Sequence, residues 1–108
     1  DWVVEKVKEQ VLKFKEKNGR HPTVACMGLA FKPNIDDLRE SPALYIAEKL
    51  NKLFQVSVVE PNINNCKSLQ LVSYDKGLQF DICIYLVAHR QFNKESIKPT
   101  DLNFCGLE

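Results

Sequence analysis

The stretch Thr23-Val24-Ala25-Cys26-Met27-Gly28-Leu29 is a near-continuous apolar run, the composition of a strand covered on both faces of a parallel sheet. His21-Pro22 ahead of it keeps the backbone extended on the way in. After a polar stretch from Lys32 to Glu40, Ser41-Pro42 offers an N-cap hydroxyl followed by proline at the first helical position. Ala43, Ile46, Ala47, Leu50, Leu53 and Phe54 then trace one apolar face at helical spacing. Gln55-Val56-Ser57-Val58-Val59 reads as the next strand, and Glu60-Pro61-Asn62 stops it because proline has no amide hydrogen for a ladder. The unit is strand, helix, strand.

Upstream, Val3, Val4, Val7, Val11 and Phe14 recur at three- and four-residue steps with Lys and Glu between them, which predicts an amphipathic helix. It ends at Asn18-Gly19, where glycine can take a left-handed cap and Lys15 and Lys17 face the last carbonyls. Downstream come a weaker strand near Leu69 to Val72, a short helix or turn from Tyr74 to Leu78, a strong strand from Asp81 to Val87 and a last strand from Leu102 to Cys105. The alternation predicts an α/β fold: a three-layer Rossmann-like sandwich with a mainly parallel sheet, preceded by an N-terminal helix. Residues 1–20 form that leading helix, a connector, and residues 21–108 the α/β domain.

At 108 residues the chain suits one apolar core. With 44% hydrophobic and 27% charged residues it has globular rather than disordered composition. A net charge of +1 supplies no field that would draw it to nucleic acid or an anionic membrane, so any anion must be held locally. No run approaches the roughly 20 apolar residues of a membrane span, and residues 1–6 lack signal-peptide architecture; a cytoplasmic protein is expected, its cysteines in a reducing setting. Cys26, Cys66, Cys83 and Cys105 include no CxxC pair, three lie in apolar runs that read as strands, and all four are expected as reduced thiols. With only His21 and His89 beside them, no metal site is expected.

Ligands of open α/β sheets sit beyond the carboxyl ends of the strands, which directs attention to the loops after Leu29, Val59 and Val87. The first carries Lys32 and Arg39 and runs into the helix start at Ser41-Pro42, so cations and free amides converge as in an anion pocket. The alternative is that both cations pair with Asp36, Asp37 or Glu40 on a solvated loop. In the second loop Glu60 imitates the ribose-binding acid of dinucleotide folds. No GxGxxG follows Gly28, however, and Phe31-Lys32-Pro33 would obstruct a pyrophosphate, so Glu60 is read as a capping or turn residue. The third loop brings His89 and Arg90, where His89 either faces a ligand or stands as a surface or capped imidazole; His21 lies at the opposite end of the sheet and is read as structural. Cys26 and Cys83 sit in apolar strands without a basic neighbour in sequence and do not read as nucleophiles.

Gly28-Leu29-Ala30-Phe31-Lys32-Pro33, followed by Asp36-Asp37-Leu38-Arg39-Glu40-Ser41-Pro42, resembles the block that opens the C-terminal UDP-binding domain of the UDP-glucose/GDP-mannose dehydrogenase family. Asn34 to Leu38, Val59 to Ile63 and His89 to Phe92 are more similar to its UDP-N-acetyl-D-mannosamine branch than to its UDP-glucose branch. Ala88 departs from the acidic residue the family places before the histidine. The resemblance implies an oxidoreductase that converts the C6 alcohol of a UDP-sugar to a carboxylate through two hydride transfers to NAD, serving bacterial surface polysaccharide synthesis. By that resemblance Phe31, Lys32, His89 and Arg90 bind substrate and Arg39 addresses the cofactor. The family's cysteine nucleophile, catalytic lysine and NAD fingerprint lie in N-terminal and central segments with no counterpart here, so no catalytic residue is assigned. NAD is then bound mainly by the N-terminal domain, and the full-length protein is expected to be a homo-oligomer. A stand-alone nucleotide-binding regulatory module, or the same domain of a UDP-glucose dehydrogenase, are the alternatives. A family domain should show an apolar patch around Trp2, Val3 and Val4; a finished module should not.

Overall fold

A computed structural model of the chain describes residues 1–30, 33, 38–66 and 68–107. The leading helix, α1 (Trp2–Asn18), is capped by the Asp1 carboxylate, which accepts from the Val3 amide at 2.8 Å. It closes at Gly19, whose φ of 70° places it in the left-handed region and lets its amide donate to the Lys15 carbonyl at 2.8 Å. Val4, Val7 and Val11 are buried against the domain. Of the apolar patch expected at the helix start, Trp2 is 67% exposed and Val3 half-buried, whereas Val4 turns inward to the core.

β1 (Val24–Met27) is buried along its whole length, as its unbroken apolar composition requires. α2 (Pro42–Leu53) starts where the sequence indicates, with Ser41 as N-cap and Pro42 in the first turn. β2 (Val56–Val59), β3 (Gln70–Leu71), the one-turn α3 (Tyr74–Gly77), β4 (Ile82–Tyr85), a 3-10 turn (Lys94–Ser96) and β5 (Leu102–Asn103) follow. Among the described residues the strands form one sheet in the order β3-β2-β1-β4-β5, and every neighbouring pair is parallel. The last strand is shorter than expected and leaves Cys105 beyond it, half-buried.

The pleat sends alternate side chains to two cores. Val24, Cys26, Val56, Val58, Ile82 and Ile84 meet α1 and α2 on one face. Ala25, Met27, Val59, Cys83 and Tyr85 meet α3 and the C-terminal segment on the other. At the amino edge of the sheet Asp81 joins both central strands: it takes two bonds from Arg20, at 2.8 and 3.0 Å, and accepts from the Thr23 amide at 2.8 Å. His21 lies at that edge, its ring 5.6 Å from Phe54.

Candidate functional site

In the order β3-β2-β1-β4-β5 the chain steps outward from β1 to β2 and β3, then returns to the other side for β4 and β5. The reversal places a topological switch point between β1 and β4, and the crevice beyond their carboxyl ends is where such sheets bind ligands. Gly28 turns the chain there with φ of 98°. A Cβ on Gly28 would lie 2.7 Å from Val87 Cβ, so the loops after β1 and β4 touch at a point only glycine permits.

Past that turn the amides of Leu29 and Ala30 are buried and need acceptors. Glu60, at the end of β2 and 4% exposed, supplies one: its Oε1 accepts from Leu29 at 2.8 Å and from Ala30 at 2.9 Å. His89 Nε2 reaches the same oxygen at 2.8 Å, with its side chain fully buried. Glu60 Oε2 accepts from the Asn62 backbone at 3.0 Å and from Asn62 Nδ2 at 3.3 Å. The bond to Glu60 fixes Nδ2 as the inward atom of the Asn62 amide, where it also lies 3.3 Å from His89 Nδ1, and Gln91 Nε2 lies 3.5 Å from Asn62 Oδ1. Because an ionised carboxylate can only accept, His89 Nε2 is the donor in its bond to Glu60. Burial pushes the Glu60 carboxyl up, but the bonds from Leu29, His89, Asn62 and Ala30 outweigh it and hold the group below the usual carboxylate range.

One carboxylate thus joins the loops after β1, β2 and β4. The far end of the first loop is fixed separately: the Ser41 hydroxyl donates to the Leu29 carbonyl and accepts from the Leu44 amide at 3.2 Å. Beside Glu60 a cleft of about 320 Å³ opens between Pro61, Asn64, Leu71 and Tyr74.

Phe31 and Lys32, the expected substrate contacts, and Asp36 and Asp37 lie outside the described residues. Arg39 is exposed in the turn before α2, and Arg90 is exposed just past β4. His89 is in the expected loop, but its ring is turned into the protein against Glu60. Sequence reasoning missed that partnership. The signal available was an acid closing an apolar strand, 29 residues from a histidine closing another. A reading of Glu60 as a capping residue agrees with its bonds to Leu29 and Ala30.

The same bonds bear on NAD. A ribose-binding acid must present a free carboxylate edge, whereas both Glu60 oxygens are taken by protein donors. Among the described residues Glu60 is therefore not available as the ribose-binding acid of a dinucleotide site. Burial raises the Cys26 thiol to about 12 and, with Asp101 adding, the Cys83 thiol to about 11, which leaves both inert at neutral pH. Among the described residues no group of three His, Cys, Asp or Glu is placed to hold a metal ion. Among the same residues no helix is long and apolar enough to cross a membrane.

The family model described as UDP-glucose/GDP-mannose dehydrogenase family, UDP binding domain, matches residues 25–103. A UDP-N-acetyl-D-mannosamine dehydrogenase of Campylobacter jejuni is 42% identical over 102 residues, covering 85% of this chain and 24% of that protein. An NDP-N-acetyl-D-galactosaminuronic acid dehydrogenase of Ralstonia nicotianae is 41% identical over 100 residues, covering 86% of this chain and 22% of that one. The chain thus spans about a quarter of the length of these relatives. In fold it is similar to a solved UDP-D-ManNAc dehydrogenase from Pyrococcus horikoshii, with a TM-score of 0.63 at 24% identity over 93% of this chain and 25% of that one.

Proposed function

Because the chain belongs to the UDP-glucose/GDP-mannose dehydrogenase family as its UDP-binding domain, we propose that it holds the nucleotide of a UDP-sugar at the carboxyl edge of β1 and β4. The carrying observation is the switch-point crevice, where the loop after β1 leaves Gly28 under the hold of a buried carboxylate and ends at the Ser41 cap of α2. In this reading Phe31 and Lys32 contact the nucleotide, the Lys32 ammonium meeting the pyrophosphate, and Arg90 adds a second cation. His89 serves the substrate site through Glu60, from the buried position described above. Arg39 addresses the cofactor side of the cleft.

The whole protein is proposed to be an NAD-dependent dehydrogenase that oxidises the C6 alcohol of UDP-N-acetyl-D-mannosamine to the uronate, for bacterial surface polysaccharide. The identity to the Campylobacter jejuni protein supports that sugar. The comparable identity to the Ralstonia nicotianae protein makes an N-acetylgalactosamine-type substrate the competing choice. NAD and the catalytic groups would be held mainly by N-terminal and central domains, with α1 as the connector. A cytoplasmic homo-oligomer completes the reading.

Calorimetric titration of UDP and UDP-N-acetyl-D-mannosamine into the wild-type chain and into Lys32→Ala tests the site. UDP binding that Lys32→Ala weakens by about tenfold or more, the worth of one charge-assisted bond, supports it. Equal binding by both proteins removes Lys32 from the pocket, and no binding by either removes the nucleotide site from this chain.

A further inference from the structure

Leu29 is fully buried and Ala30 is 1% exposed, so their amides cannot turn to solvent when Glu60 lets go. Glu60 itself is held from two sides. His89 reaches Oε1 at 2.8 Å, and Asn62 closes Oε2 through its backbone and side-chain nitrogens at 3.0 and 3.3 Å. Asn62 also braces His89, and Gln91 braces Asn62, so the orientation of the carboxylate is set by a closed ring of donors. Phe31 and Lys32 follow Ala30 directly in the chain. A shift at the Ala30 amide therefore moves the point from which those two residues start.

We propose that Glu60, braced by His89 and Asn62, is a positioning residue that fixes the start of the loop after β1 and thereby sets how tightly the adjoining nucleotide site binds. Its effect on binding rests on the UDP reading above; its effect on the loop does not. Buried polar networks are effective in such a role when every member is satisfied, since any displacement strands a donor in a dry setting. Here one anion satisfies two consecutive backbone amides, and no neutral side chain of similar length can accept all five bonds without presenting a donor to one of them.

Backbone amide exchange by NMR in the ligand-free chain, with UDP titration in parallel, tests the proposal on Glu60→Gln, His89→Leu and His89→Gln. Leu29 and Ala30 should exchange at least about tenfold faster in Glu60→Gln and His89→Leu. Exchange at Cys26, Val58 and Ile84 in the sheet should stay as in wild type, which shows that the fold persists. His89→Gln keeps an N–H donor near the position of Nε2 and should restore both slow exchange and wild-type affinity, a rescue that a purely space-filling role would not produce. The UDP dissociation constant should rise by about tenfold in the two disruptive variants. Unchanged exchange at Leu29 and Ala30 overturns the proposal, as does faster exchange with unaltered UDP affinity. If sheet exchange rises as well in Glu60→Gln, the contrast between His89→Leu and His89→Gln decides. If wild type binds no UDP, the UDP reading fails, and exchange at Leu29 and Ala30 settles the positioning role alone.

Discussion

Trimming the inner face of α1 tests whether the leading helix is part of this domain or merely attached to it. Val7 is fully buried and Val11 is 3% exposed, both packed in the core shared with α2 and the sheet. Val7→Ala removes two carbon groups, which costs about 1.6 kcal/mol in transfer free energy. The space left behind adds about 1 kcal/mol, because the neighbours close it only in part. Alanine returns about 0.5 kcal/mol through its better helix propensity. The net loss is about 2 kcal/mol at each site, a large share of the roughly 5–15 kcal/mol that holds a domain together. Leu12, on the same helix but 55% exposed, is the control, and Leu12→Ala should change stability by less than about 0.5 kcal/mol. Urea unfolding followed by far-ultraviolet circular dichroism reads the difference directly. With a slope of about 2 kcal/mol per molar, Val7→Ala should lower the midpoint by about 1 M and Leu12→Ala hardly at all. A Val7→Ala midpoint within about 0.25 M of wild type would refute the docking of α1. Equal losses from Val7 and Leu12 would mean that the assigned inner face is wrong.

Asp81→Asn should cost about 1–2 kcal/mol, since it weakens a paired, hydrogen-bonded carboxylate that is partly open to solvent. The bonds from Arg20 depress the Asp81 carboxyl in the folded state despite burial. Its contribution is therefore complete above the unfolded carboxylate range and is lost as pH falls through the lower folded value. Midpoints measured from neutral pH downward should show the gap between wild type and Asp81→Asn narrowing below about pH 4, and a widening gap would contradict the sign. Tyr85 is buried with a hydroxyl that has no hydrogen-bond partner among the described residues. Tyr85→Phe, which removes that oxygen and keeps the ring, should be neutral or stabilise by about 1 kcal/mol in the same unfolding assay. Iodoacetamide at neutral pH should label half-buried Cys66 in the folded chain, label Cys105 more slowly because burial raises its thiol, and leave Cys26 and Cys83 unmodified until urea is added; mass spectrometry of the digested protein distinguishes the four.

Local physics made much of the fold legible. Apolar spacing between Val3 and Phe14, the Ser41-Pro42 start and the unbroken run before Gly28 each act within a few residues, and α1, α2 and β1 lie where those signals put them. The parallel order also followed from the alternation of elements, because a helix between two strands returns the chain in the same direction. The two-residue strands β3 and β5 were harder to bound, since so short a ladder leaves little compositional trace.

The candidate site divides along the same line. The loops to search, those beyond the carboxyl ends of the strands, and the expectation that Phe31, Lys32, Arg39, His89 and Arg90 serve the site come from sequence; of these five the structure describes Arg39, His89 and Arg90. That Glu60 faces inward, that His89 is its partner and that Leu29 and Ala30 are their clients was decided only by tertiary structure. The reason is physical. Whether a carboxylate is a surface turn residue or a buried clamp depends on what covers it, and its cover comes from loops 31 and 29 residues away in the chain, brought together by the sheet.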